Sequence, residues 1–205
     1  MRTDPGMDRS ISAVKTRVME LNIIERYLTP HPNSRRQDLL KVAKGIVLHW
    51  VARPGQSASD VWQYFESTRR QASAHFIVDL DGTILQLMPL TEVAFHAGPL
   101  ANTRPKAMER FGPWPNACLL GIEMCHTDWK GQYTDATIAA ARELCACLCD
   151  MFNLSPDEDI LRHHDITGKY CPRFFVDHPV DWAEFKQSIK QRMLQVACAG
   201  AGGGN

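Results

Sequence analysis

Short apolar runs separated by turn-forming residues mark the first two thirds of the chain. Residues 44–50 (KGIVLHW) include β-branched side chains and predict a buried strand that ends near His49. Residues 118–125 (CLLGIEMC) predict a second buried strand. Between them, AHFIVDLDGTILQLMP predicts a hairpin that turns at Asp81–Gly82. A β-sheet is therefore expected at the centre of the fold.

Other segments show the periodicity of helices. SASDVWQYFESTRR predicts a helix with Ser59 as its cap, and residues 135–152 predict a longer helix with Thr134 as its cap. A last helix is expected to open with a capping box of Asp181 and Glu184. The order of these elements predicts one domain of the α/β or α+β class, with a central mixed sheet flanked by helices on both faces.

Three segments lack such periodicity. Prolines make residues 22–37 irregular, and the glycines and prolines of residues 96–117 predict a long loop. Residues 1–20 predict a short helix or a tail. We therefore expect an extension over 1–40 that packs on the domain or is partly flexible, the domain itself over 41–196, and a flexible Gly-rich tail over 197–205.

Composition narrows the range of partners. The 205 residues include 23 Lys and Arg against 23 Asp and Glu, so no basic excess indicates nucleic-acid binding. No apolar run reaches the roughly 18 residues of a membrane span, and the N-terminus lacks the apolar segment of a secretory signal. We expect a monomer without a membrane span that is cytoplasmic at synthesis.

The seven cysteines are an odd number and form no CxxC pair, which favours free thiols in a reducing compartment. Three of them lie in the motif CACLC, inside the helix predicted over 135–152. Cys145 and Cys149 fall on one helical face, so close packing explains them better than a metal site.

A different set of side chains has the chemistry of a zinc site. His49 ends a predicted strand, His163 and His164 end another short extended run, and Cys171 follows in a loop punctuated by Gly and Pro. Two imidazoles and a thiolate suit zinc and leave one position for water. Two alternatives stay open: a hydrogen-bonded core histidine at the strand end, and a cysteine hydrolase that uses Cys171 with His163.

The motif RHHDITGKYCP resembles the signature of the peptidoglycan amidase family, which also includes the peptidoglycan recognition proteins and many prophage endolysins. IVLHW, SAHFIVDLDGTILQLMP, FHAG and LLGIEMC resemble further blocks of the family in the same order, over roughly residues 45 to 185. The bacillus cell-wall hydrolases and prophage endolysins are the branch that it resembles most. The resemblance implies that residues 41–196 are a zinc amidase catalytic domain.

The same resemblance implies one Zn²⁺ per chain, bound by His49, His163 and Cys171. His163 is preferred to His164 because the family's ligand stands eight residues before the cysteine. His164 is then expected to be a partly exposed loop residue. Asp165 is a candidate for orienting a ligand histidine.

Two further residues acquire catalytic roles from the resemblance. Glu123 lies in an apolar strand, where it is either the partner of a core cation or the general base of the reaction; the resemblance favours the base. Lys169 is either a solvated loop residue or a cation that faces the oxyanion, and the resemblance favours the second. A tyrosine that assists catalysis in some phage members is replaced by Ala74.

The family blocks also suggest residues of the substrate groove. His75 and His96 lie in such blocks, although packing or hydrogen bonding explains them equally well. Trp114, in the proline-rich segment, is a candidate for stacking on sugar or peptide.

The expected activity is hydrolysis of the amide bond between N-acetylmuramic acid and L-alanine in peptidoglycan, after release from the cytoplasm without a signal. Two alternatives are a cytoplasmic amidase of anhydro-muropeptides in wall recycling and a protein that binds peptidoglycan without cleaving it. Cys171 disfavours the second, because non-catalytic members of the family commonly lack the zinc cysteine.

Overall fold

A computed structural model describes residues 21–51, 53–98 and 100–201. Its strands are β1 (Ile23–Glu25), β2 (Gly45–Trp50), β3 (Phe76–Val78), β4 (Ile84–Gln86), β5 (Leu119–Met124) and β6 (Ile160–Arg162). Its α-helices are α1 (Ala58–Ser67), α2 (Pro105–Phe111), α3 (Asp135–Phe152), α4 (Pro156–Asp159), α5 (His163–Thr167), α6 (Arg173–Asp177) and α7 (Pro179–Ala201). None of these helices is long and apolar enough to cross a membrane. The predictions for residues 1–20 and for the last four residues of the tail lie outside the described residues.

The strands form one six-stranded sheet in the order β1-β4-β3-β5-β2-β6. Only the β3–β4 hairpin is antiparallel, so the sheet is mixed as predicted. The hairpin turns through Gly82, which has a φ of 85° that favours glycine. Next to one edge of the sheet, β2 pairs with β5 on one side and with the edge strand β6 on the other. The carboxyl ends of these three parallel strands therefore meet at one edge of the sheet.

Both faces of the sheet are covered by helices, as the alternation of elements predicts. On the first face, Ile46, Leu48 and Ile122 pack with residues of α3 and α7 such as Leu144 and Ile189. On the second face, α1 and α2 cover the sheet through Val61, Phe65 and Phe111. Because side chains alternate along a strand, His49 and Glu123 project from the second face.

The segment 22–37 is more regular than its prolines indicate. Strand β1 adds to the edge of the sheet by parallel pairing with β4. Leu28 is 1% exposed, and Arg35 forms a two-pronged ion pair with Glu92 at 2.7 and 2.8 Å. The prediction of an irregular segment is therefore wrong for β1, whose three residues are too few to show a strand period.

The loop predicted over 96–117 also contains regular structure. It includes 3-10 turns at Leu100–Asn102 and Pro115–Ala117, and helix α2 begins at Pro105. Proline is well tolerated at the first position of a helix, so Pro105 starts α2. The Gly/Pro-punctuated segment after His164 likewise contains helix α6.

Two helix starts differ from the predicted ones. The cap of α1 is Ser57, whose side chain forms a capping box with Asp60, and Ser59 lies inside the helix. Helix α7 begins at Pro179, which places Asp181 in its first turn and not before it. The same helix extends to Ala201, into the segment predicted as a flexible tail. Thr134 caps α3 as predicted, through a hydrogen bond from the Thr137 amide.

Candidate metal centre and active site

Three structural elements bring His49, His163 and Cys171 together. His49 is the fifth residue of β2, and His163 follows the neighbouring strand β6 as the first residue of α5. Gly168 ends α5 with a φ of 80°, and the chain then returns so that the His164 amide donates to the Cys171 carbonyl at 2.8 Å. The thiol thereby reaches the carboxyl ends of β2 and β6.

The donor atoms of these residues, here called the metal cluster (His49, His163, Cys171), all lie within 4.8 Å of one another. Cys171 Sγ is 3.9 Å from His49 Nδ1, and the two imidazole rings have centroids 4.7 Å apart. All three residues are buried, and His163 Nδ1 has no hydrogen-bond partner among the described residues. A buried unpaired nitrogen is costly unless a ligand satisfies it, so the cluster fits a zinc ion with an N₂S donor set.

Burial sets the protonation of the metal cluster. Desolvation raises the pKa of the Cys171 thiol to about 12, although a hydrogen bond from the Trp50 amide opposes that shift. Desolvation lowers the pKa of His163 to about 3 and that of His49 well below its usual value. These shifts disfavour a thiolate–imidazolium pair, which a cysteine nucleophile requires. The geometry therefore gives no support to a cysteine hydrolase.

Glu123 lies directly beside the metal cluster. It is the register partner of His49 in the β2–β5 pair, so the two side chains are neighbours on one face. Its Oε2 is buried, without a hydrogen-bond partner among the described residues. Desolvation raises the pKa of Glu123 to about 8, while Lys169 acts to lower it. No ion pair of the described residues includes Glu123, so it is not the partner of a core cation.

Lys169 places a positive charge at the same site. It is exposed and lies on the cleft wall with Glu123 and the metal cluster. Its charge lowers the pKa of His49, His163 and Cys171. A cation at this position lowers the energy of negative charge that develops near the cluster.

The site lines a cleft of about 730 Å³, a volume typical of ligand pockets. Aromatic, apolar and polar side chains from β2 and the segment after it, from α1, and from the segments before β3 and after β4 also line this cleft. These wall residues are Trp50, Val51, Arg53, Gln56, Val61, Tyr64, Phe65, Gln71, Ala72, Ser73 and Phe95. The sequence predicts α1, but it gave no sign that Tyr64 and Phe65 face the site.

Of the three predicted groove residues, only His96 lines the cleft. His75 is fully buried, and its ring nitrogens contact the Gly121 amide and the Glu92 carbonyl, both at 3.0 Å. Trp114 is 37% exposed in the turn before β5 but lies outside the cleft lining. The structure therefore gives no support to a groove role for His75 or Trp114.

The neighbours of His163 have other partners. His164 is partly exposed, as predicted, but it lies in helix α5 and not in a loop, and its Nδ1 lies 3.2 Å from the Lys169 carbonyl. Both carboxylate oxygens of Asp165 accept hydrogen bonds from Arg162, at 2.8 Å from Nη2 and from the main-chain amide. The expected contact of Asp165 with a ligand histidine is therefore not observed. The sequence did not predict the contact of His96 with His49.

Residues 39–174 match the protein family described as N-acetylmuramoyl-L-alanine amidase, and the chain belongs to this family. The N-acetylmuramoyl-L-alanine amidase BlyA of Bacillus subtilis (strain 168) is 34% identical over 159 residues, which are 75% of this chain and 43% of BlyA. A probable N-acetylmuramoyl-L-alanine amidase of Bacillus licheniformis is 34% identical over 173 residues, 82% of this chain and 47% of that protein. The chain thus spans under half the length of these two relatives.

Solved structures show the same architecture. The catalytic domain of XlyA has a TM-score of 0.64 and 28% identity, over 82% of this chain and 98% of that domain. A mutant endolysin from Bacillus subtilis gives the same TM-score and identity, over 82% of this chain and 99% of the other. PlyL, at 20% identity and a TM-score of 0.66, shares the fold.

Proposed function

We propose that the chain contains the catalytic domain of a zinc-dependent N-acetylmuramoyl-L-alanine amidase, which hydrolyses the amide between N-acetylmuramic acid and L-alanine in peptidoglycan. The observation that carries the proposal is the metal cluster, with Glu123 beside it, in the lining of a cleft. The domain is assigned to 41–196, close to the residues that match the family. Because the relatives are longer, the wall-binding parts of such a protein are outside this proposal.

His49, His163 and Cys171 are the proposed ligands of one Zn²⁺. When bound, zinc supplies a Lewis acid for the scissile carbonyl and for water. Two neutral imidazoles and a thiol that gives up its proton leave one coordination position open, which catalytic zinc sites have. The metal cluster lines the cleft, so a polymer segment in the cleft can approach the cluster.

Glu123 is the proposed general base and acid. Its carboxylate takes a proton from the attacking water and gives one to the nitrogen of the leaving L-alanine, which breaks the C–N bond. The unpaired, buried Oε2 supports this role, because no structural partner competes for the proton. Lys169 is the proposed cation that faces the carbonyl oxygen as negative charge accumulates there.

The substrate is proposed to be the cell wall, and soluble recycling fragments are the alternative. The mutant endolysin from Bacillus subtilis, which is 28% identical to this chain, supports the wall, because an endolysin acts on it. The complete set of proposed ligands argues against a protein that only binds peptidoglycan.

The test follows purified sacculi and soluble muropeptides in parallel, with the release of L-alanine N-termini as the readout. We expect release from sacculi, its loss after chelation and its return with zinc. Release from soluble muropeptides alone would support the recycling enzyme. Full activity of the chelated protein would contradict the zinc proposal, and the absence of new L-alanine N-termini from both substrates would contradict the amidase.

A further inference from the structure

His96 contacts a proposed zinc ligand from the side opposite the donor atoms. His96 Nδ1 lies 3.1 Å from His49 Nε2, and His96 Nε2 lies 3.0 Å from the carbonyl oxygen of Leu119. The two rings meet edge to face, with centroids 5.1 Å apart. Two consecutive hydrogen bonds therefore connect a main-chain carbonyl of β5 to the imidazole of His49.

The chemistry of these atoms fixes the direction of both hydrogen bonds. A carbonyl oxygen only accepts, so His96 Nε2 carries the proton that is donated to Leu119. A neutral imidazole has one N–H, so His96 Nδ1 accepts and His49 Nε2 donates. The lone pair of His49 is thereby left on Nδ1, the atom 3.9 Å from Cys171 Sγ.

The burial of His96 and the groups around it favour the neutral imidazole, which these hydrogen-bond directions require. The residue is 7% exposed, and no ion pair of the described residues includes it. A buried imidazolium without a carboxylate partner would be costly. Its neighbours on the same face are two further imidazoles, those of His49 and His75, whose ring centroids lie 5.1 and 6.0 Å from that of His96.

The surrounding main chain holds His96 in place and leaves space for its ring. The main-chain amides of His96 and Ala97 both donate to Asn116 Oδ1, at 3.0 and 2.8 Å. The ring lies on Gly121 in the middle of β5, where an added Cβ would come within 2.5 Å of His96 Cγ. Glycine weakens a strand interior, and the close approach of the ring explains its use here.

We propose that His96 is a positioning residue, which fixes His49 in the tautomer whose Nδ1 is free to bind zinc. The proposal rests on the zinc site of the proposed function but does not depend on which substrate is hydrolysed. Such outer contacts to a ligand histidine typically contribute 10- to 100-fold in metal affinity.

Two variants distinguish loss of the hydrogen bond that His96 Nδ1 accepts from loss of the ring itself. In His96→Asn the side-chain oxygen falls near the position of Nδ1 and can accept from His49, whereas in His96→Gln the amide nitrogen falls near Nε2 and keeps only the bond to Leu119. Both lose the ring packing on Gly121 equally. In a zinc-chelator competition we expect His96→Gln to bind zinc roughly 10- to 100-fold more weakly than the wild type, and His96→Asn to recover most of that loss. Equal zinc affinities in the two variants would overturn the proposal.

A second measurement needs neither variant. Long-range ¹H–¹⁵N NMR spectra of the zinc-loaded wild-type protein distinguish the tautomers of each histidine. We expect both His49 and His96 to carry the proton on Nε2; a proton on His96 Nδ1 would overturn the proposal. Neither readout uses turnover, so a protein that cleaves no peptidoglycan would defeat the proposed function and leave this test intact.

Discussion

Two groups of three buried His or Cys residues can be compared within the described part of the chain, and one of the two has the geometry of a metal site. The metal cluster takes its donors from β2, α5 and the loop after α5, and these converge at the sheet edge beside the cleft. The helical cysteines (Cys145, Cys147, Cys149) come from α3 alone. Cys145 and Cys149 pack among apolar side chains of the first-face core. Burial is the main cause of the raised pKa of both thiols. The pKa of Cys149 rises to about 12, and that of Cys145 rises well above its usual value.

The difference shows that donor type and burial are insufficient to define a site. Within the part of the chain described, the metal cluster is the group whose donor atoms lie within 4.8 Å of one another. The metal cluster also contains an unpaired nitrogen, His163 Nδ1, and it lines the cleft. The helical cysteines lie along a single helix and are buried. Convergence of several elements on a cavity is the stronger indication of function.

The largest effect is expected for Cys171→Ala, which removes one ligand of the metal cluster. Zinc content should fall from about one per chain to near zero, because two imidazoles alone bind zinc poorly. Amide cleavage should fall to the level of the chelated protein. Metal analysis and the L-alanine assay measure the two effects. Retention of stoichiometric zinc would place the ion elsewhere.

Glu123→Gln should separate chemistry from metal binding. The amide keeps the size of the side chain but cannot act as a base, so turnover should fall by roughly 10²- to 10⁴-fold. Zinc content should equal that of the wild type, because Glu123 is a neighbour of the cluster and not a ligand. Loss of zinc in this variant, measured by metal analysis, would refute the assignment.

A smaller effect is expected for Lys169→Met, which removes the cation from the cleft wall. The turnover number should fall by roughly 10²- to 10³-fold, as it does when one oxyanion contact is lost. Lys169→Arg is the matched control and should recover part of the rate because it restores the charge. Steady-state kinetics on soluble muropeptides separate kcat from KM, and an effect confined to KM would show that Lys169 only binds substrate.

The smallest effect on the metal site is expected for Cys149→Ala, which changes one of the helical cysteines. Removal of a buried sulfur should lower the free energy of unfolding by roughly 0.5–1.5 kcal/mol, as loss of one buried methyl-sized group does. Zinc content and turnover should stay at wild-type values. Denaturant unfolding with metal analysis checks both, and a fall in zinc content would give the helical cysteines a role that the structure does not.

The sequence was sufficient to predict the parts of the fold that have strong local patterns. The strand that ends near His49, the strand that contains Glu123, the hairpin and the cap at Thr134 all agree with the structure. The family resemblance implied that His49, His163 and Cys171 act together, and the structure brings them together through the neighbouring strands β2 and β6 and the loop that follows α5. The roles assigned to these residues remain predictions.

The rest depends on contacts that are distant in sequence. Strand β1 is defined by its pairing with β4, and three residues show no period by themselves. The contact of His96 with His49 spans 47 residues, and Gly121, which makes room for it, is one glycine in an apolar run. Asp165 was a candidate for orienting a ligand histidine, but in the structure its carboxylate forms an ion pair with Arg162.

The most direct test of the central claim is the X-ray absorption spectrum at the zinc edge of the zinc-loaded protein. The proposed ligands predict one sulfur at about 2.3 Å and two imidazole nitrogens at about 2.0–2.1 Å around each zinc ion, and the same spectrum is expected for Cys149→Ala. A zinc environment with two or more sulfurs, or with none, would contradict the account.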